Sequence, residues 1–303
     1  MGGQAWSGDA FQNLKQTRAT QSTQQIFTSK SLHTHMSPKG VAFRESRDST
    51  EHPNSVAVQL FLDVTGSMGR IPEVLVREKF GTLMETLIAH GVPDAHLLFG
   101  GIGDHYTDEA PLQVGQFEAG TNELNEWLSK LWLEGNGGGQ DKESYSLAWL
   151  FGARHTTIDC FEKRKQKGFL FTVGDEGYHP TLELNVLEEI FGYPFNESLE
   201  SKHLFAEALR TYHVFHLHVN EGSYKNSQTV LAPWKELLNE RLIIINDYNT
   251  IAEVVATTVA VMLGADLQNV VSGFDDHTAK AVTSALVKVS KDVATQNDGI
   301  LRL

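Results

Sequence analysis

A chain of 303 residues, 41% hydrophobic and 21% charged, has the composition of a globular protein with room for a large core. Its formal charge of −13 argues against a general nucleic-acid binder, because neutralising phosphates requires clustered Lys and Arg, but it suits hard cations or a basic partner surface. The single cysteine, Cys160, excludes an intramolecular disulfide framework and any cysteine-based zinc site.

Residues 1–54 read as an arm. The stretch from Gln16 to Ser29 is rich in Gln, Ser and Thr and offers little apolar surface, so it is expected either to be mobile or to lie over the domain or a partner. Turns are expected at Pro38-Lys39-Gly40 and His52-Pro53-Asn54. From Val56 the pattern changes to alternating strand and helix. Val56 to Leu62 is a nearly continuous apolar run, the mark of a strand covered on both faces. Val76, Phe80, Leu83, Met84 and Leu87 then recur at helical spacing between Ile71 and His90, with Pro72 in the first turn and Gly91-Val92-Pro93 as the stop.

Strands follow at Ala95 to Ile102 and Leu112 to Phe117, then a helix whose apolar face carries Leu124, Trp127, Leu128 and Leu131. A Gly-rich loop, Gly135 to Gly139, leads into a helix starting near Ser144, with Cys160 packed at the end of a helix. Gly168 to Val173 is the next buried strand, ending at Gly174-Asp175. Helices are expected at Thr181 to Phe191, Leu199 to Thr211, Ser227 to Asn239 and Tyr248 to Leu263, and strands at His213 to Val219 and Arg241 to Ile245. The expected fold is therefore α/β: a mostly parallel six-stranded sheet, doubly wound, with helices on both faces over residues 55–265. Residues 266–303 form a C-terminal extension with one more helix around Thr278 to Ser290. No charged-then-apolar leader and no run of about 18 apolar residues occurs, so the expected setting is cytoplasmic and off the membrane. On that basis Asn196-Glu197-Ser198 is an accidental match to the glycosylation triplet.

The chemistry concentrates at strand ends. In open α/β sheets ligands bind outside the carboxyl ends of the strands, where the strand order reverses. The first strand delivers Asp63-Val64-Thr65-Gly66-Ser67: oxygen side chains at alternate positions with a glycine between the last two, a loop suited to wrapping a small cation. Magnesium takes hard oxygen ligands, and one carboxylate with two hydroxyls is too weakly charged to hold it, so further ligands must come from neighbouring strand ends. Asp175 ends the fourth strand, and the Gly-rich loop brings Gln140, Asp141, Glu143 and Ser144. The plain alternative is that Asp63 and Ser67 only cap the following helix.

This set resembles the metal-ion-dependent adhesion site of von Willebrand factor A domains, over roughly Val56 to Leu263. That family reads Asp-x-Ser/Thr-x-Ser in its first loop, a Thr in its second and an Asp in its third. Asp63, Thr65 and Ser67 match the first element and Asp175 stands where the third is expected. No Thr follows Gly137-Gly138-Gly139, so Asp141 or Glu143 is expected to take its place. Gly101-Ile102-Gly103-Asp104-His105, with the Gly-rich loop and the glutamate after it, is more similar to the von Willebrand A domains attached to alpha-kinases and to bacterial and phage proteins of the same type. No kinase domain is read in these 303 residues, so the resemblance does not carry kinase activity over.

The resemblance implies a protein-binding module, not an enzyme. Its Mg2+ (or Mn2+ or Ca2+) would be held by Asp63, Thr65, Ser67, Asp175 and Asp141 or Glu143, and completed by an acidic side chain of an unknown partner protein. It also implies that the metal site is linked to movement of the last helix, Tyr248 to Leu263. Neither nucleic acid nor membrane is an expected partner, while a homo-oligomer through the arm or the C-terminal helix of residues 266–303 is. Two rival readings remain: a metal-assisted hydrolase with Asp104, His105 or His179 as general base, and a structural assembly subunit with the site vestigial. His216 and His218 face one side of their strand, more in the manner of core histidines than of a metal pair.

Overall fold

The structure, a computed structural model, describes residues 4–135, 141–221 and 224–297. Its centre is a six-stranded sheet. The strands are β1 (Val56–Asp63), β2 (Ala95–Ile102), β3 (Leu112–Val114), β4 (Gly168–Gly174), β5 (Tyr212–Val219) and β6 (Leu242–Ile245). Their order across the sheet is β6-β5-β4-β1-β2-β3, with every neighbour parallel except the β2–β3 pair.

The apolar runs explain the sheet. Every residue of β1, β2 and β4 is buried, as strands covered on both sides require. Along β1 the side chains alternate between two cores: Val58, Leu60 and Leu62 enter one, Ala57 and Phe61 the other. The first core is closed by a helical stretch from Ile71–Val74 through a π turn at Leu75–Lys79 to Phe80–Ala89, and by the helices Thr121–Ser129, Ile251–Met262 and Asp276–Asn297. The second lies under the helices Tyr145–Arg154, Leu184–Phe191, Ser201–Ala208 and Gln228–Leu238. The chain is thus an α/β protein with helical layers on a mostly parallel sheet. Among the described residues no helix is long and apolar enough to cross a membrane.

Several boundaries differ from expectation. The third strand stops at Val114, and Thr181–Leu182 forms a short antiparallel ladder with Leu199–Glu200, so the helix after it starts at Leu184. Cys160 is buried, within the short helix Asp159–Arg164.

The arm lies against the first core. Its helix Gly8–Ala19 starts at Ser7, whose hydroxyl accepts from the Ala10 N–H. Phe11, Ile26, Phe27 and Met36 are buried there, so a segment poor in apolar residues still anchors itself through a few of them. The arm and the helix at Ile71–Ala89 also exchange arginines. The Arg18 guanidinium donates to the Val76 carbonyl and to Asn125 Oδ1, and Arg77 donates to the carbonyls of Arg18 and Gln21. Burial, then the neighbouring Arg77, bring Arg18 down to about 10.

Candidate metal centre

The register sets the site. Leu62 pairs with Val173, and Asp63 pairs with Ile102 on the other side, so the carboxyl ends of β1, β2 and β4 lie side by side. The three strands deliver Asp63, Asp104 and Asp175 to one edge of the sheet, and all three are buried.

The Asp63 loop folds onto itself. Asp63 Oδ1 accepts from the Thr65 backbone N–H at 2.9 Å and from the Thr65 hydroxyl at 2.6 Å. Thr65 Oγ1 lies 3.2 Å from Ser67 Oγ, and the Ser67 hydroxyl donates to Asp175 Oδ1 at 2.8 Å. Each hydroxyl donates its proton to a different carboxylate, and the two hydroxyl oxygens lie in contact, so Asp63 and Asp175 are brought to one place although 108 positions separate Ser67 from Asp175. Ser67 is exposed and caps no helix: the turn at Ile71–Val74 has Arg70 as its N-cap, without a side-chain hydrogen bond.

The second loop contributes unequally. Asn136 to Gln140 lie outside the described residues. Asp141 is exposed, and its carbonyl accepts from the Gly177 N–H at 2.8 Å. Ser144 is buried but committed elsewhere, its Oγ lying 2.7 Å from His105 Nδ1. Glu143, held by the pairing of Lys142–Glu143 with Gly177–Tyr178, is buried, and its Oε2 has no hydrogen-bond partner.

Two contributors escaped the sequence reading. Tyr145, the first residue of its helix, donates its hydroxyl to Asp63 Oδ2 at 2.9 Å. Gly174 makes room for it: a Cβ there would stand 1.8 Å from the Tyr145 hydroxyl and 2.9 Å from Asp63 Oδ2. Glu176 is also buried, with an unpartnered Oε2, while its carbonyl accepts from Trp234 Nε1 at 2.9 Å. An acid directly after Asp175 was the available signal for Glu176; nothing in the local pattern marked Tyr145.

The electrostatics of this edge are one-sided. Burial lifts the Asp63 carboxyl to about 7, with Asp175 adding to the rise and the bonds from Thr65 and Tyr145 opposing it. Burial also raises Asp175, against the Ser67 hydrogen bond. Glu176 rises to about 8 through burial and then the fields of Asp63 and Asp175. Burial, then Asp63 and Glu176, push Glu143 far above the carboxylate range. Carboxylates crowded in a dry site, with two oxygens lacking any donor, are what a hard divalent cation neutralises. The donor set fits such an ion: Asp63, Thr65, Ser67, Asp175 and Glu143 all offer oxygen.

A cavity of about 290 Å³ opens beside Ser67 and Asp175. Arg70 and Glu221 line it, as do Val219 at the end of β5 and Tyr248 ahead of the helix Ile251–Met262. The β5 histidines are core residues: the His216 ring stacks on Trp234 at 3.8 Å, and His218 is buried. Asp104 and His105 follow β2, and His179 joins them, its Nε2 lying 2.8 Å from Asp104 Oδ1.

No family model matches the chain, and no curated protein matches it. Among solved structures it is similar to the pilus adhesin SpaC from Lactobacillus rhamnosus GG. The TM-score is 0.46 at 9% identity, over 71% of this chain and 31% of the adhesin chain. The open conformation of SpaC gives a TM-score of 0.43 at 8% identity, over 70% and 31%. Proximal thread matrix protein 1 from the mussel byssus gives 0.42 at 8% identity, over 69% of this chain and 48% of that one. The chain thus spans about a third of the adhesin and about half of the matrix protein.

Proposed function

We propose that this chain is a doubly wound domain of von Willebrand factor A type that holds a divalent ion, magnesium by preference, at the tips of β1 and β4 and uses it to bind a partner protein. The observation that carries the reading is the convergence of four oxygen side chains: the Thr65 hydroxyl, bonded to Asp63, lies 3.2 Å from the Ser67 hydroxyl, which is bonded to Asp175. Thr65 and Ser67 supply hydroxyl oxygens, Asp63 and Asp175 supply charge, and Glu143 takes the place of the family's second-loop threonine. Asp141, exposed at the rim, is the weaker candidate for that place. The ion's chemistry is to offset the buried negative charge and to accept an oxygen ligand from outside.

The exposed Ser67 and the adjoining cavity mark the side from which that ligand arrives. A partner carboxylate suits it, because Arg70 stands on the cavity wall and its side chain is largely exposed. A carboxylate on a metal gives a directional anchor within a wider contact, and the surrounding surface sets specificity. Tyr248, on the cavity wall and just before Ile251–Met262, is where a shift of that helix would be coupled to occupancy.

Calorimetric titration of magnesium, manganese and calcium into wild type and Asp63→Ala tests the metal assignment. Binding to wild type that disappears in the variant supports it; equal binding to both defeats it. Capture of partners in magnesium and in chelator then tests the adhesion step, with loss of a partner in chelator as the expected outcome.

A further inference from the structure

A second group of ligand-type side chains lies at the tip of β2, and its chemistry differs from that of the oxygen site. Asp104 and His105 leave the strand together, and His179 reaches them from the loop after β4. One ligand atom from each lies within 4.8 Å of the others. Asp104 Oδ1 is 2.8 Å from His179 Nε2 and 3.9 Å from His105 Nδ1. We propose that Asp104, His105 and His179 form a second metal site, selective for a zinc-class transition ion and independent of the hard-cation site at Asp63 and Asp175.

The donor set carries the selectivity. Two imidazole nitrogens and one carboxylate suit Zn2+, Co2+ or Fe2+, whereas magnesium keeps to oxygen. Metal–ligand distances of about 2.0–2.2 Å ask only for small movements of atoms already this close. The three side chains are preset. The Asp104 carboxylate accepts from the Tyr106 N–H at 3.2 Å, and the Asp104 N–H donates to Asp108 Oδ2 at 2.7 Å. The His179 carbonyl accepts from the Ser201 hydroxyl at 2.5 Å.

The surroundings of His105 point the same way. Its Nε2 is buried and lies 3.3 Å from Glu183 Oε2, a sheltered atom on a side chain that is otherwise partly exposed. An ion on Nδ1 would take the place of the present contact to Ser144 and fix the proton on Nε2, which then donates to Glu183. A carboxylate behind a ligating imidazole is the usual way such a ring is oriented and its basicity raised. A cavity of about 280 Å³ borders His105 and Asp108 and gives an ion access. Burial and then His179 hold His105 below the ordinary histidine value. Burial raises Asp104, but the hydrogen bonds from His179 and the Tyr106 N–H, with the fields of His179 and His105, together outweigh it and keep the carboxyl low. A neutral ring and an ionised carboxylate are the forms that bind metal.

The test is cobalt titration of the full chain in excess magnesium, followed by the visible d–d bands of nitrogen-bound cobalt, with circular dichroism to confirm folding. Wild type is expected to bind one equivalent with these bands, and zinc to displace it. His179→Gln and His105→Gln are each expected to weaken binding by about 100-fold or more, and Glu183→Gln by about 10-fold or more. Asp63→Asn, which targets the other site, is expected to leave the bands unchanged. Absence of bands in wild type, bands that survive His179→Gln and His105→Gln, or bands lost in Asp63→Asn would each overturn the proposal. Should His179→Gln not fold, Glu183→Gln decides, since its carboxylate is partly exposed at the rim.

Discussion

The Tyr145 hydroxyl donates to Asp63 Oδ2, the one oxygen of that carboxylate that the Thr65 loop does not reach. The bond joins a helix of one layer to the tip of the central strand β1, so the Asp63 loop is braced from both sides. Tyr145→Phe leaves a buried carboxylate oxygen short of its donor. The expected loss is about 1–3 kcal/mol, read by urea unfolding in chelator. A change under about 0.5 kcal/mol would show that the hydroxyl does not support Asp63.

Gly174 is the space through which that bond is made. Gly174→Ala would place a methyl in contact with the Tyr145 oxygen at an unattainable 1.8 Å, so either Tyr145 or β4 must move. Overpacking of this kind costs about 1–3 kcal/mol or more. Combined with Tyr145→Phe, which keeps the ring, the two losses are expected to be less than additive, and a double-mutant cycle measures the coupling.

Glu143 is expected to oppose folding without the ion and to favour binding with it. Its buried Oε2 has no partner, and acids surround it. Without the ion this carboxyl must take up a proton as the chain folds, and Glu143→Gln removes that requirement at nearly constant shape. In chelator the variant is expected to melt higher than wild type by a few degrees, corresponding to about 1–2 kcal/mol. In magnesium the order reverses, because the ion has lost a ligand. Thermal melts in the two buffers give the comparison; a variant that is less stable in both would remove Glu143 from the site.

Acid should weaken the protein through its buried histidines. Burial brings His218 down to about 4, and burial, then His52, bring His96 down to about 4. Both folded-state values lie below the ordinary histidine value, so between about 6.5 and 4 the unfolded chain binds more protons than the folded one. Their stabilising contribution is complete above about 6.5 and is lost as pH falls toward 4. Neither ring nitrogen of His218 has a hydrogen-bond partner, so His218→Leu removes its share without stranding a polar group. The difference in unfolding free energy between wild type and His218→Leu is expected to shrink by on the order of 1–3 kcal/mol from pH 7 to pH 4.5. A difference that stays flat across that range contradicts the assignment.

The sheet was legible because its strands are buried on both faces, which leaves uninterrupted apolar runs such as Val56 to Leu62 and Gly168 to Val173. The acids at their ends stand out by contrast, which is how Asp63 and Asp175 were found before their register was known. What the sequence did not show is contact through space. Tyr145 reaches Asp63 from a helix 82 positions away, and Ser144 turns to His105 instead of the carboxylates. For the arm, composition left two alternatives open, mobile or laid over a surface. Mean composition reports how much apolar surface a segment has, not whether Phe11, Ile26, Phe27 and Met36 sit where a groove awaits them.

The exchange of arginines between the arm and the helix that follows the Asp63 loop has a consequence for handling the protein. Arg18 is held by a backbone carbonyl and an amide oxygen, with no counter-ion among its hydrogen-bond acceptors, and its charged neighbour is another arginine. Added salt has no attraction to screen at that guanidinium and instead eases the repulsion between the two cations. The seam should therefore hold in high-salt washes that strip electrostatically bound contaminants.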